Sequence, residues 1–195
     1  MRFLLSKSPA ARLLRQKATF KIVPMINVDG VIGGNYRTGF AGLDINRMFG
    51  SDADSRLTPE SVRVKEAVKK EERVAFFFDV HGHSSKKSVF LYGPRYPLHS
   101  EHYLKIRLLP KLIAQRTDIF RYYSCRFANE KRKQNCSRLA VNREFDLPNS
   151  YTLECSMWGY ICGQTRQTVD LSLSNLQKFA TIWAGCLRDW FTLFE

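Results

Sequence analysis

The chain has 195 residues, 44% of them hydrophobic and 13% aromatic, and a formal net charge of +13. That is apolar material for one sizeable core, and it sets the expectation of a single domain over residues 1–195. No run approaches the roughly 18 apolar residues that a membrane-spanning helix needs, and the positive balance favours anionic partners without choosing among them.

The chain starts MRFLLSKSPA, whose apolar run Phe3-Leu4-Leu5 is too short for a secretory h-region. No acid precedes Asp29, as in a mitochondrial leader, yet the pattern runs straight on without a small-residue cleavage site. Residues 3–16 read as a helix with Leu4, Leu5, Ala11, Leu13 and Leu14 on an imperfect apolar face. No capping residue stands before it, so it reads as cut into rather than begun. Phe20 to Ile26 reads as a strand, with Pro24 pointing to an edge or a bulge. Residues 27–57, with six glycines, form a long irregular segment of the kind that is functional or disordered. Thr58-Pro59-Glu60 then opens a helix running to about Glu72.

Arg73 to Val80 and Ser88 to Tyr92 read as strands. Residues 97–117 read as a helix that Pro110 kinks or divides. Arg121 to Phe127 reads as a short strand, Asn129 to Arg138 as a basic flexible loop, and Leu139 to Arg143 and Ser150 to Cys155 as further short strands. Ser172 or Ser174 caps a last helix through Phe191, with Phe179, Trp183, Cys186, Leu187 and Trp190 on its apolar face. Alternating strands and helices imply an α/β protein around a mixed central sheet. Five cysteines, odd in number and without CxxC spacing, read as reduced thiols of a cytosolic compartment.

Chemistry-bearing residues gather where apolar strands end, as expected beyond the carboxyl ends of strands in such sheets. His81 and His83 lie two apart with Asp79, so all three share one face of an extended chain. Asp79 can orient an imidazole through its second nitrogen, as metal-bound histidines require. The competing reading is a pair of loop histidines held by hydrogen bonds. His99 and His102 form a second pair, better explained as helix-surface residues. Arg37, Asn46 and Arg47 lie in and after the glycine-rich loop, and a guanidinium matches a carboxylate with two parallel hydrogen bonds. Against that stands a loop arginine paired with Asp44 or Asp52. Glu154 ends an apolar strand, where burial raises its affinity for a proton and suits it to general-base work. Its alternative is a buried salt bridge.

Taken together, NVDGVIGGNYRTGFAGLDINRMF, FFDVHGHSSKKSVFLYG and NSYTLECS resemble the signatures of the cytosolic carboxypeptidases, the tubulin-deglutamylating branch of the M14 zinc metallocarboxypeptidases. The resemblance runs from about Phe20 to the last helix. It implies a zinc carboxypeptidase-like α/β/α sandwich, with helices on both faces of a mixed sheet. It implies that His81 binds zinc, that Arg37 stabilises the oxyanion, that Asn46 and Arg47 hold the substrate's terminal carboxylate, and that Glu154 moves the proton between zinc-bound water and leaving amine. Arg138 is the matching residue for reading an acidic side chain. The implied partners are acidic C-terminal tails such as tubulin's, with no nucleic acid or membrane. The implied location is the cytoplasm, in association with the cytoskeleton.

Two departures qualify the resemblance. Arg138 follows Asn135, Cys136 and Ser137 instead of the family's Gly-Thr-x. More seriously, no histidine here is followed three residues later by glutamate, the motif from which the family draws its other two zinc ligands. Residues 1–195 are therefore expected to form a partial catalytic domain, incomplete at its N-terminus. Two of the three ligands, the early strands and a preceding β-rich domain would be missing, which predicts weak zinc binding and an unpaired sheet edge. Two functional readings follow: an enzyme that removes terminal glutamates, or an inactive relative whose cleft binds acidic tails. Retention of Arg37, Asn46, Arg47 and Glu154 favours the first. A nucleic-acid module would explain the charge but not Glu154.

Overall fold

A computed structural model describes residues 1–51 and 53–194. Helix α1 spans Pro9–Lys17, and Ser8 caps it, its hydroxyl accepting from the Ala11 amide at 3.3 Å. The expected start at residue 3 is thus corrected: a capped start replaces one cut into, because Ser8-Pro9 is a strong initiation pair. Ala11 and Leu14 are fully buried, and α1 packs on the last helix. Ser8→Ala is expected to cost about 1 kcal/mol, read as a lower urea midpoint at unchanged slope.

The predicted strand Phe20 to Ile26 does not form; Ile22, Val23 and Met25 are exposed there. Strand propensity yields a strand only where a neighbour supplies a ladder. The segment after it is less irregular than expected. Helix α2 spans Val28–Gly33, with the Asn27 side chain accepting from the Gly30 amide at 3.0 Å, and a 3₁₀ turn covers Ile45–Arg47. Helix α3, Pro59–Lys69, begins where expected, although the Thr58 hydroxyl donates to the Asp54 carbonyl (3.3 Å) instead of capping.

Strands β1 (Phe77–His83), β2 (Val89–Gly93), β3 (Arg126–Phe127) and β4 (Ser150–Ser156) form one sheet in the order β1-β4-β2-β3. β4 runs parallel to β1 and antiparallel to β2, so the sheet is mixed. β1 begins later than predicted and runs on through His83, placing both histidines inside the strand. Residues 139–143, expected as a strand, instead lie in helix α5, Ser137–Phe145, and the basic loop before it contains a 3₁₀ turn at Lys131–Lys133. An apolar run that short suits helix and strand equally. A small hairpin, β5 (Tyr160–Ile161) with β6 (Thr168–Val169), was not foreseen.

Helix α4 is Glu101–Ala114, undivided by Pro110, and α6 is Leu173–Leu193, capped by Ser172. Proline at 110 removes the amide that would reach the Ile106 carbonyl. The Tyr151 hydroxyl donates to that carbonyl instead, at 2.9 Å, so the helix continues. α4 and α6 cover one face of the sheet around Leu91, Leu153 and Tyr151, with Phe78 edge-on to Trp183 at 4.7 Å. α5 packs against β1 and β4 on the other face. All five cysteines are free.

Candidate active site

Side chains alternate across a pleated strand, so registered neighbours share a face. Parallel pairing sets His81 beside Glu154 and Asp79 beside Thr152; antiparallel pairing sets Phe90 beside Glu154 and Tyr92 beside Thr152. These six residues therefore line one face, the one beneath α5, while Phe78, Tyr151 and Leu153 fill the core on the other.

The first turn of α5 holds this face together. The Ser137 amide donates to the Asn46 side-chain oxygen at 2.8 Å, and the Ser137 hydroxyl donates to Asp79. Asp79 Oδ2 lies 2.8 Å from His81 Nε2, and Asn46 Nδ2 lies 3.2 Å from the same nitrogen. The loop carrying Asn46 and strand β1 thus meet on one imidazole, and Ser137 of α5 braces both of its partners. Asp79 orients the ring as expected, and His81 Nδ1 has no partner among the described residues. Ser137 was not singled out beforehand. A serine after a cysteine at the end of a basic run gives no local signal, and its role exists only because α5 lies over β1.

Electrostatics follow from burial. Glu154 is only 8% exposed. No hydrogen bond or ion pair engages its carboxylate among the described residues, which sets aside a buried salt bridge. Burial pushes its pKa up, partly offset by His81, His83 and Arg138, with Asp79 adding to the rise. For His81, burial lowers the pKa, but the hydrogen bond and charge of Asp79, with the charge of Glu154, outweigh it and the net shift is upward; Arg37 opposes them.

The arginines are less finished. Arg37 pairs with Asp44 at 2.9 Å, within electrostatic reach of His81. The Arg47 guanidinium turns back on the Asn46 carbonyl at 2.8 Å. The pairing anticipated for a loop arginine is therefore made by Arg37, while Asp52 lies outside the described residues. Arg138 is 5% exposed, donates to the Thr152 hydroxyl at 3.4 Å, and lies 5.7 Å from the Tyr92 ring centre with its Nε buried and unpartnered. Lys133 pairs with Glu130 at 3.0 Å, so part of the basic run is neutralised locally.

His83 does not join His81: its Nδ1 accepts from the Ser85 and Lys86 amides at 3.2 and 3.0 Å, the hydrogen-bonded alternative. His102 packs edge-on against Tyr96 at 5.1 Å. Among the described residues no three His, Cys, Asp or Glu side chains meet as a metal-binding group. A catalytic zinc takes three protein ligands. His81, with Nε2 tied to Asp79 and Nδ1 free, suits one of them, but the donors present do not complete the site.

No family model matches the chain. It is 38% identical over 173 residues to cytosolic carboxypeptidase 2 of Mus musculus, covering 85% of this chain and 19% of that protein. It is 37% identical over 192 residues to cytosolic carboxypeptidase 2 of Xenopus tropicalis, covering 96% and 20%. With cytosolic carboxypeptidase 1 of Mus musculus it shares 37% over 208 residues, covering 96% and 17%. The chain thus spans about a fifth of the length of these relatives. Among solved structures, a metallo-carboxypeptidase from Burkholderia cenocepacia superposes with a TM-score of 0.81 at 22% identity, covering 97% of this chain and 49% of that one. A metallo-carboxypeptidase from Pseudomonas aeruginosa gives 0.78 at 22%, covering 95% and 50%. Those two likenesses establish the fold, and the sequence relatives establish the kinship: the chain belongs to the cytosolic carboxypeptidase family.

Proposed function

We propose that this chain forms the peptide-end cleft of a carboxypeptidase, built to hold a C-terminal residue beside Glu154. The observation that carries the reading is the β1–β4 register, which sets a buried, unpaired Glu154 next to an oriented His81 beneath Asn46. In this reading Arg47 leaves the Asn46 carbonyl to grip the terminal carboxylate, with the Asn46 amide beside it. Arg37 exchanges Asp44 for the scissile carbonyl oxygen. Arg138 takes an acidic side chain, and the raised proton affinity of Glu154 fits it to accept and return a proton. The zinc that the kinship implies would supply Lewis-acid chemistry and find one nitrogen ligand in His81. Glutamate-rich tails of tubulin type, encountered in the cytoplasm, are the substrates that the basic balance and Arg138 favour.

A clamp of this kind distinguishes a free C-terminus from a blocked one. A short glutamate peptide with a free terminus is expected to bind the 195-residue chain more tightly than its C-terminal amide. Arg47→Ala should weaken the free peptide by about 10- to 150-fold, the equivalent of about 1.5–3 kcal/mol for a charged hydrogen bond, and leave the amide unchanged. Isothermal titration measures both. Equal affinities for free and amidated peptide would remove the clamp.

A further inference from the structure

Tyr92 faces the candidate site from β2, where antiparallel pairing sets it beside Thr152. Three cations gather on its ring. The Lys86 ammonium lies 5.4 Å from the ring centre, the Arg138 guanidinium 5.7 Å and the Lys133 ammonium 5.9 Å. Lys86 also lies 5.0 Å from the ring centre of Phe90, the cross-strand neighbour of Glu154. An aromatic face attracts a cation, but it offsets only part of the repulsion among three like charges.

Local structure fixes Lys86 in this place. Its amide and that of Ser85 donate to His83, and two residues later Ser88 has a φ of 74°, in the left-handed region that side chains disfavour. Ser88 is fully buried, and its amide donates to the Gly159 carbonyl at 2.7 Å. The reversal is thus held at both ends, and it turns Lys86 back over Phe90 and Tyr92.

The cations outnumber their partners. Glu130 pairs with Lys133, and Arg126 shares that acid at 3.6 Å. Among the described residues only the two rings engage the Lys86 ammonium. The Arg138 Nε is buried and finds no acceptor, and an unmatched buried donor of this kind is costly. The other acids of this face, Asp79 and Glu154, flank His81. Three cations against the single carboxylate of Glu130 leave two positive charges without an opposing group.

A glutamate side chain would bring only one negative charge. We infer that the pocket walled by Lys86, Lys133 and Arg138 takes a terminal residue whose side chain carries two negative charges, either a geminal dicarboxylate or a phosphoryl group. The inference rests on the peptide-end cleft proposed above and defines its side-chain specificity. One anionic oxygen would meet the Arg138 Nε at depth and a second the Lys86 ammonium at the rim, with Lys133 shared between Glu130 and the ligand. Because the three cations share one ring, they make one pocket for one side chain, not a row for successive residues.

Isothermal titration at fixed ionic strength tests this with acetylated pentapeptides that differ only in a C-terminal glutamate, γ-carboxyglutamate or phosphoserine. γ-Carboxyglutamate adds one carboxylate to glutamate, and phosphoserine carries nearly two charges and three acceptor oxygens. At least one of them should bind about tenfold or more tighter than glutamate, the worth of one added charged contact; which one does so assigns the pocket to a dicarboxylate or to a phosphoryl group. Lys86→Ala should close most of that gap, whereas Lys131→Ala, an equal loss of charge outside the pocket, should leave it open. Glutamate binding as tightly as both dianions would overturn the inference, and so would equal effects of the two substitutions. A peptide ending in two glutamates that matches the better dianion would also overturn it, by placing the second charge on the preceding residue. In each of these cases, tighter binding of the free glutamate peptide than of its amide leaves the cleft itself standing. Failure of every free-terminus peptide to bind would end both.

Discussion

Tyr151→Ala is expected to cost about 3–5 kcal/mol of folding stability, a large part of the whole for a protein of this size. The ring is fully buried, stacks on Phe78 at 5.5 Å between centroids, and sits on the central strand β4 three residues before Glu154. Its hydroxyl has a separate task. Pro110 leaves the Ile106 carbonyl without its helical donor, and Ile106 is fully buried. Tyr151 supplies the missing hydrogen at 2.9 Å. Tyr151→Phe should therefore cost about 1–3 kcal/mol, the cost of an orphaned buried acceptor. In the double variant Tyr151→Phe/Pro110→Ala, the new amide at 110 can reach Ile106, and most of that cost should vanish. Urea denaturation of the four proteins closes the cycle. Strictly additive losses would show that the hydroxyl does not substitute for the proline's missing donor.

Glu154→Gln is expected to raise stability near neutral pH while removing proton transfer. Folding raises the pKa of this carboxyl, mainly through burial. The folded protein thus holds the proton more tightly than the unfolded chain. Whatever stability the group contributes is complete below the unfolded carboxyl range and is lost as pH rises through the folded value. Glutamine cannot ionise, so the variant should escape that loss and show a flatter decline of stability from acid toward neutral pH. His81, also raised, acts in the same direction and remains in both proteins. In any preparation that turns over peptide, the same change should slow hydrolysis by roughly 10²–10⁴-fold, the usual worth of a positioned proton-transfer group. Melting curves between pH 4 and 8 decide the first part; a variant less stable than the parent at pH 7 would mean that the carboxylate is compensated by groups around it. The gain and the loss together make Glu154 a residue held at a cost in stability.

Kinship, the mixed sheet and the shared face of Asp79 and His81 were all legible in the order of residues. Strand periodicity is local, and the three quoted motifs are contiguous. The errors have physical causes as well. Residues 139–143 are apolar but too few to separate a period of two from one of 3.6, and only packing over β1 and β4 makes them helical. The 3₁₀ turn and helix α2 within residues 27–57 depend on single side-chain caps that composition hides. Phe20 to Ile26 has the right residues for a strand and no partner, so propensity alone was insufficient.

Which ionisable side chains stand at strand ends and in the glycine-rich loop is thus written in the chain itself: His81, Glu154 and the loop arginines were recognisable as candidates because residue type and strand ends are properties of short segments. How they are tied together belongs to the tertiary structure. The Ser137 amide on Asn46, Asp79 on the imidazole, Arg47 folded onto its neighbour's carbonyl and Arg37 engaged by Asp44 all join groups through space, over separations of up to 91 residues for Ser137 and Asn46. A hydrogen bond needs its partners within about 3 Å, and only the stacking of α5 over the β1–β4 pair brings Ser137 that close to Asn46 and Asp79.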